Sequence, residues 1–272
     1  MILLPPNDKR QLSQMLLPPF QRAIVEAQER SPVPYRYGSL DELLFELNLR
    51  SSIVDSALAL NQSGVQFAVY RKSRCNEMYW NRTEEGGFRL RNGMPPADAI
   101  QDIYRNGPLY GFECSMAMMI VMYKAVLDQI GSRAFNTYFT NLFLYDWQYD
   151  SDLGFRQGTL RLGAYPGDIL YFKNPDHNPE TPEWQGENVI MLGEDRYYGH
   201  GIGIRSSSGI IEALNRRRKP GSRRSAYLLD TIIYPNYAHI RSLRGVYARI
   251  GSTVYRHRGS QSAATRAEPD RA

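Results

Sequence analysis

Leu109-Tyr110-Gly111-Phe112-Glu113-Cys114-Ser115 runs directly into Met116-Ala117-Met118-Met119-Ile120-Val121-Met122. Gly111 and Phe112 bring the backbone in as an extended stretch, and the apolar run predicts a helix over 116–130, stopped by Gly131. Cys114 falls at the first turn of that helix. Unpaired N–H groups and the positive end of the helix dipole lower a thiol pKa there, and a thiolate is a nucleophile suited to acyl transfer. Position alone leaves a second reading open, because a free cysteine is also a common core residue.

Working outward from this stretch, the pattern is mixed α/β. Upstream, Ser39-Leu40-Asp41-Glu42 is a capping box that opens a long helix ended by Gly64. Residues 65–70, 78–80 and 88–90 read as strands, with Glu85-Gly86-Gly87 as a turn. Pro95-Pro96 starts a short helix through Tyr104, and Asn106-Gly107-Pro108 stops it. Residues 1–34 read as an irregular arm with one short helix from Phe20 to Glu29, broken by Pro5-Pro6 and Pro18-Pro19. Downstream, a short helix is expected over 134–140, then strands over 143–145, 168–172, 188–192, 198–204 and 210–211. A Pro- and Asp-rich loop spans 174–182, and 216–224 is a basic loop. The domain is expected to run over 35–258, with a small, polar tail at 259–272 expected to be disordered.

The 272 residues suit one domain with extensions, and 42% hydrophobic content is enough for a substantial core. Only two cysteines are present, Cys75 and Cys114, which excludes a disulfide framework and fits a reduced, intracellular setting. Met1 to Pro6 has no basic leader region, and the longest apolar run is too short to span a bilayer, so no membrane association is expected. No His, Cys or carboxylate cluster has metal-ligand spacing, and no glycine-rich phosphate loop follows a strand, so no metal or cofactor is expected. The net charge is +5, and the run Arg216-Arg217-Arg218-Lys219 with Arg223 and Arg224 raises the question of nucleic acid. Without an aromatic RNA-binding signature or a helix-turn-helix, a solvated loop is the better reading, and no nucleic-acid partner is expected.

A cysteine nucleophile needs a base and an orienting group, usually from a strand beside the helix. Glu187 stands at the start of the apolar strand Asn188 to Leu192, and His200 is bracketed by Gly199 and Gly201. Each has a plainer reading, a solvated strand end for Glu187 and a hydrogen-bonded turn histidine for His200. Together with Cys114 they follow the papain-like order, a helix-borne cysteine followed by strands carrying the acid–base groups.

Several motifs in the same order resemble the transglutaminase of Bacillus spore coats. They include Asn106 to Cys114, Leu144-Tyr145-Asp146-Trp147, Leu170 to Pro175, Trp184 to Asn188, Leu192 to Asp195, and His200 to Ile204. Glu46-Leu47-Asn48-Leu49-Arg50 and Met94-Pro95-Pro96 belong to the same similarity, which runs from about Tyr35 to about Leu229. The resemblance implies an α+β domain with a papain-like, cell-wall-peptidase-like core, a central, mainly antiparallel sheet flanked by helices. It implies calcium-independent γ-glutamyl transfer from protein glutamine to lysine. Cys114 matches the nucleophile, Glu187 its main acid–base partner, Glu113 an auxiliary carboxylate and His200 a family histidine. Phe67, Trp147, Tyr171 and Trp184 match the aromatic walls of a substrate tunnel, with Asn188 beside them. The implied partners are glutamine- and lysine-bearing spore-coat proteins, and the implied location is the mother-cell cytoplasm followed by association with the coat. Two rivals stand beside this: a papain-like cysteine peptidase acting on cell-wall peptides, with Cys114 and His200 as its pair, and a non-catalytic coat scaffold.

Overall fold

The computed structural model describes residues 1–250 and 253–257, with side chains described through 245; the tail expected at 259–272 lies outside the described residues. Helix α1 covers Pro6–Gln14 and α2 Pro19–Arg30, so the first 34 residues hold two helices rather than one. Each starts at a proline, whose fixed φ and missing N–H suit a first turn. The segment is packed. Ile2–Leu3 pairs in parallel with Tyr35–Arg36, and Ile2, Leu17 and Ile24 are buried against Leu40, Leu43 and Leu47.

Helix α3, Leu40–Gln62, begins where the capping box places it. Ser39 Oγ accepts from the Glu42 amide at 3.3 Å, and Glu42 Oε2 reaches back to the Gly38 amide at 2.6 Å, one residue before the cap. Helix α4 is Pro96–Arg105. Helix α5, Cys114–Tyr138, is buried on every side from Cys114 through Tyr123, which is why its run is apolar all round rather than striped. It packs against α3 and α4. Gly131, with φ +80 and ψ 157, leaves helical geometry inside α5, so the expected stop is a kink between two helical pieces.

The other layer is a six-stranded antiparallel sheet. Its strands are β1 Arg156–Gly158, β2 Ile169–Lys173, β3 Gly186–Gly193, β4 Arg196–Gly199, β5 Gly203–Arg205 and β6 Tyr227–Tyr234, in the order β5-β4-β3-β2-β6-β1. Ile190 and Leu192 on β3 face the α5 core, whereas Val189 packs with Ile210 and Leu214 of α6, Ser207–Asn215. The alternation of a strand thus serves two cores at once. A short helix α7, Tyr237–Ser242, is tied to the start of α3 by Arg241, which bonds Asp41 at 2.6 Å and Glu42 at 2.7 Å.

Further stretches depart from the sequence reading; the strand expected over 78–80 begins only at Trp80 and runs to Arg82. Residues 198–204 form not one strand but the hairpin β4–β5, because Gly201 and Gly203 take φ +105 and +81 and let the chain reverse. Ile210-Ile211 lies in α6, capped by Ser206, since burial at Ile210 and Leu214 has helical spacing. Strand β6 went unread because a register shift between Leu228 and Ile232 breaks its alternation. The strand expected over 65–70 shrinks to Gln66–Phe67, which pairs in parallel with Gly111–Phe112 and so aligns the lead-in to α5.

Candidate active site

Cys114 is the first residue of α5, and its side chain is 7% exposed. The Gly111–Phe112 bridge to Gln66–Phe67 holds the strand that delivers it. The amides of the first helical turn have no acceptor within the helix, and Cys114 begins that turn. Opposite stands the start of β3. Asn188, on the α5 side of that strand, donates from Nδ2 to Cys114 Sγ at 3.4 Å.

Glu187 leaves β3 on the other side, as alternation requires. It is 1% exposed, and its Oε1 is buried with no hydrogen bond among the described residues. Room for the carboxyl comes from Gly199 on β4: a Cβ there would sit 2.8 Å from Oε1 and 2.9 Å from Cγ of Glu187. Burial raises the Glu187 pKa well above the carboxylate range, the nearby charge of Glu113 raises it further, and Arg217 opposes both.

The thiol does not behave as its helix position suggests. Burial, then the charge of Glu187, push Cys114 up to about 12, with Asn188 opposing. Desolvation outweighs the helix dipole because the sulfur is enclosed while dipole stabilisation is modest. Cys114 and Glu187 therefore titrate as a pair within electrostatic reach of each other, without a direct hydrogen bond. Tyr171 and Tyr198 both feel the charges of the two groups, which places their hydroxyls in the same electrostatic compartment.

A trench of about 640 Å³ opens over the sulfur. Cys114, Glu113, Trp147, Tyr171 and Asn188 line it, so five of the nine residues singled out in the sequence meet in one cavity. Phe67, Trp184, Glu187 and His200 are not among its lining residues. Trp184 stacks on Phe67 at a centroid distance of 5.4 Å, and the Arg217 guanidinium sits 3.7 Å from the Trp184 ring centre. His200 stacks on Phe112 at 4.9 Å, and its Nδ1 meets the Tyr198 hydroxyl at 3.1 Å. Burial lowers His200 to about 4, against a weaker pull from the Gln66 and Phe112 carbonyls, so the imidazole is neutral near pH 7.

Residues not singled out from the sequence complete the mouth. Tyr70 Oη bonds Ser115 Oγ at 2.8 Å and Asp146 Oδ1 at 3.4 Å. Asp146 holds a left-handed φ of +45, an uncommon conformation that aims it at the trench. Glu113 is pushed up to about 7, by burial first and then by the charges of Asp146 and Glu183. Only a fold brings Tyr70, Asp146 and Glu183 together; no local spacing could have found them. Cys75 lies apart from the trench, half-buried against the α5 core, and burial raises it to about 11.

A mixed helix–sheet domain with this helix-borne thiol has a transglutaminase fold. A solved transglutaminase from Geobacillus stearothermophilus, without its C-terminal extension, superposes with a TM-score of 0.73 and 51% identity, covering 77% of this chain and 100% of that one. The family model for protein-glutamine gamma-glutamyltransferase matches residues 1–244, and the chain belongs to that family. Proteins of that name from Bacillus cereus strain AH820 and Bacillus thuringiensis subsp. konkukian strain 97-27 are each 52% identical over 200 residues, 73% of this chain and 71% of theirs. The chain is thus a transferase whose substrates are proteins bearing glutamine and lysine. The family match begins at residue 1, and so takes in both N-terminal helices.

Proposed function

We propose that the chain forms γ-glutamyl-lysine cross-links through a thioester on Cys114, with Glu187 as the proton carrier and without calcium. The observation that carries this reading is the Cys114 thiol at the base of the trench, bonded by Asn188 and electrostatically paired with a buried carboxyl. The sulfur attacks the carboxamide carbon of a glutamine side chain. The C–N bond breaks, and ammonia leaves with the proton that the Cys114–Glu187 pair supplies. A lysine amine then attacks the thioester, the C–S bond breaks, and the pair takes up the amine's proton. A carboxyl whose pKa is raised above the ordinary carboxylate range suits both transfers. The amides at the start of α5 are the donors for the oxyanion. Trp147 and Tyr171 shield the thioester from water, which favours the amine over hydrolysis. Glu113 supplies a second titrating carboxyl at the mouth.

Among the described residues no group of three or more His, Cys, Asp or Glu side chains could hold a metal ion, and the chelator measurement below tests calcium independence. The neutral His200, bonded to Tyr198 and absent from the trench wall, disfavours a Cys–His peptidase. The motif resemblance to the transglutaminase of Bacillus spore coats supports a role in coat assembly, with synthesis in the mother-cell cytoplasm and later association with the coat.

The test is incorporation of a labelled primary amine into a glutamine-bearing protein, with and without thiol alkylation and with a calcium chelator. Cys114→Ala is expected to abolish incorporation with the fold intact, and the chelator to leave the wild type unchanged. Residual full activity in Cys114→Ala overturns the thioester. For the location, an antibody should find the protein in the extracted coat of mature spores; its absence there removes the coat assignment.

A further inference from the structure

The basic run set aside in the sequence as a solvated loop lies against the trench. Residues 216–224 follow α6 and carry six cations, Arg216, Arg217, Arg218, Lys219, Arg223 and Arg224. The loop is built. Asn215 bonds Ser225 and the Ala226 amide at 3.0 and 2.8 Å, closing its base, and Ser222 Oγ bonds Asp176 at 2.9 Å. It is joined to the 174–185 loop by the Asn178 amide to the Arg217 carbonyl and the Lys219 amide to the Asp176 carbonyl, each 3.0 Å. That second loop supplies Glu183 and Gln185 to the trench and carries Trp184, on which Arg217 rests. Trench wall and basic loop are therefore one ledge.

Half of its charge has no carboxylate partner among the described residues. Arg216 pairs with Glu212, and Arg224 with Asp176 at 3.5 Å. The Arg218 guanidinium bonds only carbonyls, those of Asn215 and Arg224 at 3.0 and 2.7 Å, which fix it without cancelling its charge. Lys219 and Arg223 are exposed and meet no carboxylate among the described residues. Glu180 is exposed on the neighbouring loop, and Asp230 is exposed six residues beyond Arg224. The trench mouth has the opposite sign, with Glu113, Asp146 and Glu183.

We propose that this ledge docks acidic segments of the glutamine-bearing substrate proteins and so selects them. The proposal rests on the γ-glutamyl transfer reading above. Guanidinium groups held by backbone carbonyls present a fixed fork to carboxylates. The division of sign orients the substrates: an anionic flank lies on the ledge, while the acidic mouth attracts a lysine ammonium. Nucleic acid fits worse. Single strands need free aromatic faces for stacking, and Trp184 is already engaged by Phe67 and Arg217. The acidic mouth would also repel a phosphate chain.

The experiment uses the full chain and two synthetic glutamine peptides alike except for an aspartate-rich or a serine-rich flank, with a fluorescent primary amine as acceptor. The expected result is a kcat/KM about tenfold higher for the aspartate-rich peptide at low salt, an advantage that shrinks as salt rises. The double change Lys219→Glu and Arg223→Glu removes that advantage and leaves the serine-rich peptide unaffected. Anisotropy of the labelled aspartate-rich peptide, read with Cys114→Ala, reports docking independently of turnover. An inactive wild type with intact ledge-dependent binding would fault the transfer reading alone. Equal use of both peptides, an advantage that survives the double change, or displacement of the peptide by an RNA oligonucleotide at far lower concentration than by free polyaspartate overturns the ledge.

Discussion

Cys114 and Glu187 titrate as a coupled pair in a buried compartment, and the pH behaviour of the proposed mechanism follows from that. On the proposed mechanism the active form is the pair that has lost one proton, so the rate should rise with pH through an apparent pKa above the ordinary carboxylate range. Glu113 raises the Glu187 pKa through its charge. Glu113→Gln should therefore move the rising limb to lower pH, and a limb that stays put or moves up would show that the two carboxyls do not communicate. Glu187→Gln should cost about 10²–10⁴-fold in rate, the usual worth of a general acid–base group. His200→Gln should cost less, because the imidazole is neutral and faces Tyr198 rather than the sulfur. Glu113 enters the comparison, because the proposed mechanism puts this second titrating carboxyl at the mouth. The decisive kinetics compare the double Glu113, Glu187→Gln change with His200→Gln, each checked for folding by circular dichroism. An active double variant beside a dead His200→Gln would hand the role to a Cys–His pair.

At the scale of elements, the site depends on how β3 and β4 meet. Gly199 takes no left-handed φ, so its purpose is space: the Glu187 carboxyl occupies the volume of its missing side chain. Gly199→Ala should displace that carboxyl and lower kcat by on the order of 100-fold, since small misplacements of catalytic groups have that effect. Thermal stability should fall much less, and the reactivity of Cys114 toward an alkylating agent should change in the same variant. Unaltered turnover would mean that the position of Glu187 is unimportant. Gly131 plays a different part. A Cβ there meets nothing within 4 Å, yet its φ of +80 is one that L side chains rarely adopt. The kink lets the second piece of α5 turn Phe135 and Phe139 back onto Tyr123, at ring distances of 6.3 and 5.6 Å.

For the molecule as a whole, one buried ion cluster ties the helical layer to the sheet. Arg50 of α3 bonds Glu46 at 2.8 Å, Asp168 beside β2 at 2.7 Å and the Pro166 carbonyl at 3.0 Å. Its guanidinium also lies 5.5 and 4.9 Å from the ring centres of Tyr165 and Tyr237. Asp168 accepts from the Tyr165 amide with its other oxygen. A cluster of this kind adds little beyond a well-packed apolar core, but removing one member strands the rest. Asp168→Asn should lower the unfolding free energy by about 3–5 kcal/mol, measured by urea denaturation. Activity per folded molecule should survive at low temperature, because the cluster lies outside the trench. A loss under 1 kcal/mol would show that the cluster is solvated in practice.

What the sequence determined by itself was local or carried by several motifs at once. The α3 cap at Ser39, the glycine interruption at residue 131, the start of α5 and the family all followed from short patterns, because capping, φ tolerance and apolar runs act between near neighbours. Cys114, Glu113, Trp147, Tyr171 and Asn188 were legible as candidates, and they converge on the trench. Other features belonged to the tertiary structure. The hairpin at residues 200–202 and helix α6 were set by register and by packing on the second core, and β6 was hidden by its own bulge. Tyr70, Asp146, Glu183 and Arg217 come from separate segments, so no spacing along the chain showed that they meet at one site. The thiol was expected to be acidic from its place on a helix, and the fold reversed this by enclosing it beside a carboxyl. Helix dipole and cap are properties of a few consecutive residues, whereas desolvation depends on everything that packs around a group, and that is decided only when the chain has closed.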